Sequence, residues 1–289
     1  MINLWYEESY WSYTGGRVSG PEKVVKNTIE ALKQEGIDFS VNEDKYSYNF
    51  LLQYQHEVAY KKHEHLEHNT CIIGPQFWPF DSYGKFLIDN PQFYKKLIAP
   101  SYWVEDKLVN KLHVPPEKVS IWAAPIKAPD IIDNISIDCL IYHKSRSNED
   151  LEKVKTFLDS KKITYTQLSY GGYSQDEFKN KLATVKFCII IDSTESQGIA
   201  IQEIMAIGKP LLVWDVKKWD YMGKEYVVSA SSVPYWSDDC GEKFYDVDEL
   251  EFTFSKFYDK ISEYDPKKLI NSELSYKASV KKLLKIFEE

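Results

Sequence analysis

The sequence predicts an α/β chain made of two Rossmann-like parallel-sheet domains facing an interdomain cleft, with a helical C-terminal tail. Three observations lead there. Apolar runs of strand length alternate with helix-patterned segments along the 289 residues. The alternation is run through twice, with proline-rich chain between the two passes. A chain of this length also has room for about two domains, each burying its own core.

Residues 2–6 are the expected first strand. A turn-rich loop, Gly15-Gly16-Arg17-Val18-Ser19-Gly20-Pro21, leads into a helix over 21–36. Ser19 or Gly20 suits its N-cap, Pro21 its first turn and Gly36 its end. Residues 38–41, 49–54, 71–74 and 97–99 read as strands and 57–67 and 102–112 as helices. Residues 118–123 then close the first unit. Pro115-Pro116 and Ala124-Pro125-Ile126-Lys127-Ala128-Pro129 interrupt the pattern. The boundary is therefore expected within 124–135, which gives domains 1–130 and 131–289. The second pass reads strand 139–142, helix 149–158, strand 164–168, helix 175–182, strand 187–192, helix 198–207 and strand 210–214. Residues 248–263 and 266–287 have helical spacing.

Composition narrows the function. The 36 basic residues against 44 acidic ones leave a net charge of −8, unlike the basic surface that counterion release from nucleic acid requires. No apolar run reaches the roughly 20 residues of a membrane span, and the first residues lack a secretory pattern. Cys71, Cys139, Cys188 and Cys240 form no Cys-x-x-Cys pair, so they read as reduced core residues of a cytoplasmic protein. Of the basic residues 34 are lysine, and only Arg17 and Arg146 are arginine. Each follows the first strand of its half, where an open parallel sheet binds ligands. Gly15, Gly16 and Gly20 share the Arg17 loop, either as a tight strand-to-helix turn or as a place where backbone approaches a ligand.

The densest pattern is Ile190-Ile191-Asp192-Ser193-Thr194-Glu195-Ser196-Gln197-Gly198-Ile199-Ala200-Ile201-Gln202-Glu203-Ile204-Met205-Ala206-Ile207-Gly208-Lys209-Pro210. An apolar strand runs out to a polar loop with Glu195, and Gly198 opens a helix. The free amides at Gly198, Ile199 and Ala200 suit a diphosphate. Glu203 lies about 7 Å further along the helix, roughly where the ribose of a bound nucleotide would be. It sits among Ile199, Ile201, Ile204 and Met205, on a helix too apolar for an ordinary solvated face.

These residues resemble the family-four retaining glycosyltransferases of the GT-B fold. Their signature is two glutamates with this spacing, a small-residue helix, Gly-Lys-Pro and a strand. The resemblance extends to Gly15-Gly16 and to Ile98-Ala99-Pro100-Ser101-Tyr102-Trp103-Val104. It implies a hexosyltransferase-like enzyme that moves a sugar from a nucleotide-diphosphate sugar to the hydroxyl of an acceptor. With lysine, arginine and helix amides available to neutralise the diphosphate, donor binding is expected to need no metal or cofactor. Glu203 would hold the ribose, Glu195 the donor sugar, and Gln197, Gly198 and Ile199 the diphosphate. Lys144 stands for the family's arginine after the first strand of the second domain. Glu149 occupies the place of its lysine, and Arg146 is the expected substitute. Gly15, Gly16, Arg17 and His56 would form the acceptor side, with a capping role as the alternative for His56.

Two other functions share these residues. A non-catalytic nucleotide-sugar or carbohydrate-binding protein is suggested by the missing lysine, and a sugar-nucleotide epimerase would use the same fold. The run His63-Glu64-His65-Leu66-Glu67-His68 lacks metal-binding spacing and reads as a solvated helix. No pair of acids stands out as a glycoside-hydrolase pair.

Overall fold

The computed structural model describes residues 1–7, 19–43, 48–54, 57–220 and 227–289. The chain divides into two units, residues 1–125 with 274–289, and residues 126–273.

The first unit is built on six parallel strands, β1 (Ile2–Trp5), β2 (Phe39–Val41), β3 (Tyr48–Gln53), β4 (Cys71–Gln76), β5 (Lys96–Ala99) and β6 (Val119–Ile121). They are ordered β2-β1-β3-β4-β5-β6. Helices α1 (Gly20–Gln34), α2 (Glu57–His63), α3 (Ser82–Asp89) and α4 (Tyr102–Asp106) connect them. Ser19 caps α1 by accepting from Glu22 N, and Asp81 caps α3 by accepting from Gly84 N. Trp5, Leu51, Ile73, Leu97 and Val119 bury one face of the sheet with Leu87, Val104 and Leu108.

The second unit has five parallel strands, β7 (Ile137–His143), β8 (Tyr165–Ser169), β9 (Val185–Ile191), β10 (Leu211–Trp214) and, after a two-stranded antiparallel ribbon of β11 (Lys218–Asp220) and β12 (Val227–Ser229), β13 (Gly241–Phe244). The sheet order is β13-β10-β9-β7-β8, with β7 in register between β8 and β9. Helices α5 (Asn148–Ser160), α6 (Gln175–Thr184), α7 (Ile199–Ala206), α8 (Leu250–Asp259) and the short α9 (Lys267–Leu269) complete it. Cys139, Ile141, Ile189, Leu212 and Phe244 bury one face against Leu151, Val154 and Leu158 of α5 and Leu250, Phe254 and Phe257 of α8. Each such side chain contributes about 1.5–3 kcal/mol when fully buried.

The strand-helix alternation of the sequence is present in both units. Three elements are additional: α3, the ribbon and β13. The last helix, α10 (Tyr276–Glu288), was expected with the second domain and belongs to the first unit. Its Phe287 ring lies 6.0 Å from Phe50 of β3, and the Ser279 hydroxyl donates to the Ala123 carbonyl at 3.0 Å. All four cysteines are free and buried. Among the described residues, no helix is long and apolar enough to cross a membrane.

The histidine-rich run departs from the solvated reading. His63 is buried, its Nε2–H donating to the Phe93 carbonyl and its Nδ1 accepting from the Tyr54 hydroxyl at 2.9 Å. Burial lowers its pKa to about 4, so the ring is neutral. Among the described residues, no group of three or more His, Cys, Asp and Glu is arranged to hold a metal.

Candidate functional site

The order of the second sheet reverses between β7 and β9. Chains leaving neighbouring strands at such a point go to opposite faces and open a crevice at the carboxyl ends. Lys144 and Arg146 follow β7, and Asp192 to Gly198 follow β9.

Lys144 continues the ladder, its amide donating to the Ile191 carbonyl at 2.9 Å. Its ammonium pairs with Glu195 Oε1 and lies 4.4 Å from the centre of the Tyr170 ring. Burial would lower the pKa of this lysine, but Glu195 and Asp192 outweigh it and hold the pKa above its ordinary value. Lys144 is thus a half-buried, firmly charged cation.

Glu195 is held from its backbone, the amide donating to the Ser231 carbonyl at 3.0 Å. That segment is anchored in turn on Asp215, a buried carboxylate just past β10. It accepts from the hydroxyls of Ser231 and Ser232, from Ser232 N at 2.7 Å and from Lys243 Nζ at 2.6 Å. Asp215, Ser231, Ser232 and Lys243 did not emerge from the sequence, although Leu-Leu-Val-Trp-Asp repeats the apolar-run-then-Asp pattern of Ile-Ile-Ile-Asp.

Asp192 is fully buried at the end of β9. Its Oδ1 accepts from Ser193 N at 2.7 Å, while Oδ2 has no hydrogen-bond donor among the described residues. Burial and the Glu195 charge push its pKa up to about 8, against the pull of Lys144.

Gly198 takes the left-handed conformation, φ +82°, which allows the loop to turn directly into α7. The N-cap residue Gly198 has no side chain to cap that helix, and the first-turn amides of an α-helix have no acceptor within it. Glu203 is on α7, 7% exposed, and its charge helps raise the pKa of Tyr173, after burial as the main cause. The Tyr173 hydroxyl lies 3.3 Å from that of Tyr142 on β7.

Two expected phosphate ligands are occupied elsewhere. The Arg146 Nε donates to the Asp192 carbonyl at 2.8 Å, and Nη2 to those of Asp215 and Trp214 at 3.1 and 3.4 Å. Nη1 faces Asp150 at 3.6 Å, and the guanidinium lies 4.5 Å from the centre of the Trp214 ring. Strand ends in a parallel sheet leave carbonyls unpaired, and the arginine fork satisfies three of them at once. The Gln197 side chain is buried and donates to Gln202 Oε1 at 3.0 Å. Glu149 is exposed on α5 and pairs with Lys153. Lys144, Glu195, Gly198, Ile199 and Glu203 thus lie around one strand-end crevice or on the helix that leaves it. Gly15, Gly16, Arg17 and His56 lie outside the described residues.

No family model matches the chain, and no curated protein does. Solved structures do. The apo form of the lipopolysaccharide outer core galactosyltransferase WaaB superposes with a TM-score of 0.62 at 9% identity, over 99% of this chain and 98% of that one. AviGT4, a glycosyltransferase involved in avilamycin A biosynthesis, gives 0.61 at 9% identity over 100% and 97%. Sucrose-phosphate synthase from Thermosynechococcus elongatus gives 0.56 at 9% over 99% and 98%. At this identity the likeness is one of fold, and the chain has the two-unit α/β GT-B fold.

Proposed function

We propose that this protein is a glycosyltransferase that moves a sugar from a nucleotide-diphosphate sugar to an acceptor hydroxyl, with retention at the anomeric carbon. One observation carries the reading. Lys144, Glu195 and the glycine-led start of α7 converge where the order of the second sheet reverses, the place where open α/β sheets bind nucleotides. The likeness in fold to WaaB and AviGT4 supports the same chemistry.

In this reading the amides of Gly198 and Ile199 and the Lys144 ammonium hold the diphosphate. Glu195 meets the donor sugar, and Glu203 accepts hydrogen bonds from the two ribose hydroxyls. Lysine and helix amides neutralise the leaving group, so no metal ion is needed and the protein works in the cytosol without one. The acceptor approaches on the face from which the diphosphate leaves. The leaving phosphate oxygen takes the hydroxyl proton, as retention allows. Arg146 holds the strand ends that carry these groups.

Glu203→Gln tests the assignment, with nucleoside diphosphate binding measured by calorimetry in EDTA. The substitution preserves shape and helix propensity but turns a charge-assisted contact into a neutral one. The expected loss is about 1.5–3 kcal/mol, or roughly 10- to 150-fold in affinity, shrinking sharply for the 2′,3′-dideoxy nucleotide. Equal binding of both nucleotides by variant and parent overturns the ribose role of Glu203. A requirement for a divalent ion overturns metal independence.

A further inference from the structure

A buried carboxylate oxygen without a donor is costly, and a charged one more so. Among the described residues, Asp192 Oδ2 is such an oxygen, on a side chain with no exposure at all. The group beside it is the Glu195 carboxylate, which like any ionised carboxylate can only accept. Two ionised carboxylates cannot satisfy each other. A proton on Oδ2 resolves the conflict, because the orphaned oxygen then becomes a donor to Glu195.

We propose that Asp192 is a resident neutral carboxylic acid whose Oδ2–H donates to the Glu195 carboxylate, and that it positions Glu195 for the donor sugar. Lys144 donates to the same carboxylate through Oε1, so Glu195 is held between a cation and an acid. Among the described residues, the groups that act on Asp192 are Glu195 on its own loop, Lys144 and Arg146 on the loop after β7, and Tyr142 on β7 itself. The Arg146 guanidinium is bound to the Asp192 carbonyl, not to its carboxyl group. Burial keeps the Tyr142 hydroxyl protonated.

The charge count gives the proton its purpose. With Asp192 neutral, Lys144 and Glu195 cancel, and the start of α7 presents its amides to a diphosphate with no opposing charge. With Asp192 ionised, the same three groups sum to −1 beside that anion. This last step rests on the sugar-transfer reading, whereas the proton itself does not.

The test compares the parent with Asp192→Asn, which keeps a donor toward Glu195 but cannot titrate. A carboxyl that holds its proton more tightly when folded stabilises the fold most below its unfolded pKa, and that stabilisation is lost as pH rises toward the folded one. Urea midpoints should therefore show the parent losing ground to Asp192→Asn from about pH 4 to about pH 8. The loss should approach tenfold in the folding constant per pH unit and then level off. Infrared spectra of the parent at pH 6 should contain a protonated-carboxyl band that disappears above pH 8. That measurement stands even where the variant does not fold. A constant difference in midpoint across the window, or no such band at pH 6, overturns the proposal. Binding of uridine diphosphate should weaken in the parent as Asp192 ionises, more than in Asp192→Asn. Absence of nucleoside diphosphate binding at every pH, with the titration intact, overturns the sugar-transfer reading and leaves the proton in place.

Discussion

Lys144 keeps its charge where burial works against it, because Glu195 and Asp192 stand beside it. In the proposed reaction such a cation would serve two anions in turn, fixing Glu195 in the free protein and offering the same ammonium to an incoming phosphate. Lys144→Gln keeps a donor for Glu195 and removes the charge. We expect nucleoside diphosphate affinity to fall by about 1.5–3 kcal/mol, with free nucleoside unaffected because it carries no phosphate. Calorimetry on the two ligands checks this, and equal losses for both would assign Lys144 to the fold alone. His63 shows the opposite outcome of burial. Beside Tyr54 and Phe93 it has two neutral partners and stays uncharged.

At the scale of the element, the loop after β7 is a clamp. Arg146 crosses from it to the ends of β9 and β10 and meets three backbone carbonyls. Arg146→Ala leaves those three acceptors without the fork and Asp150 with only Lys153 beside it, at 3.9 Å. It should cost about 1.5–3 kcal/mol, read as a shift of the urea midpoint, and Arg146→Lys should recover only part because an ammonium lacks the fork. An unchanged midpoint would show that the strand ends do not depend on it. The scarcity of arginine marked this loop in the sequence, but not which way the fork would turn, since backbone carbonyls from two distant strands carry no residue signature. β7, β9 and α7 were legible because apolar runs and Gly198 mark them directly. The eight-residue α3 has only Gly84 and Leu87 buried, too narrow a stripe to see. The residues of β13, Gly-Glu-Lys-Phe, are a strand because β10 pairs with them.

At the scale of the molecule, the chain returns to its first unit at the end. The apolar stripe of α10 was visible in the sequence, but a stripe does not state which sheet will cover it. Val280, Leu283, Ile286 and Phe287 are each 5% exposed or less. Phe287 meets the rings of Tyr48 and Phe50, and the Trp122 indole donates to the Ser279 carbonyl at 2.9 Å. At about 1.5–3 kcal/mol for each of the four apolar side chains, their burial comes to roughly 6–12 kcal/mol, comparable with the whole stability of a domain. Deleting residues 276–289 should therefore unfold the first unit and spare the second. Hydrogen exchange resolves the two: amides of β3 and β6 should lose protection, while those of β7 and β9 keep it. Loss of protection confined to β7 and β9 would mean that the last helix supports the second sheet. Unchanged protection throughout would make α10 an appendage and its buried face worth far less than its area suggests.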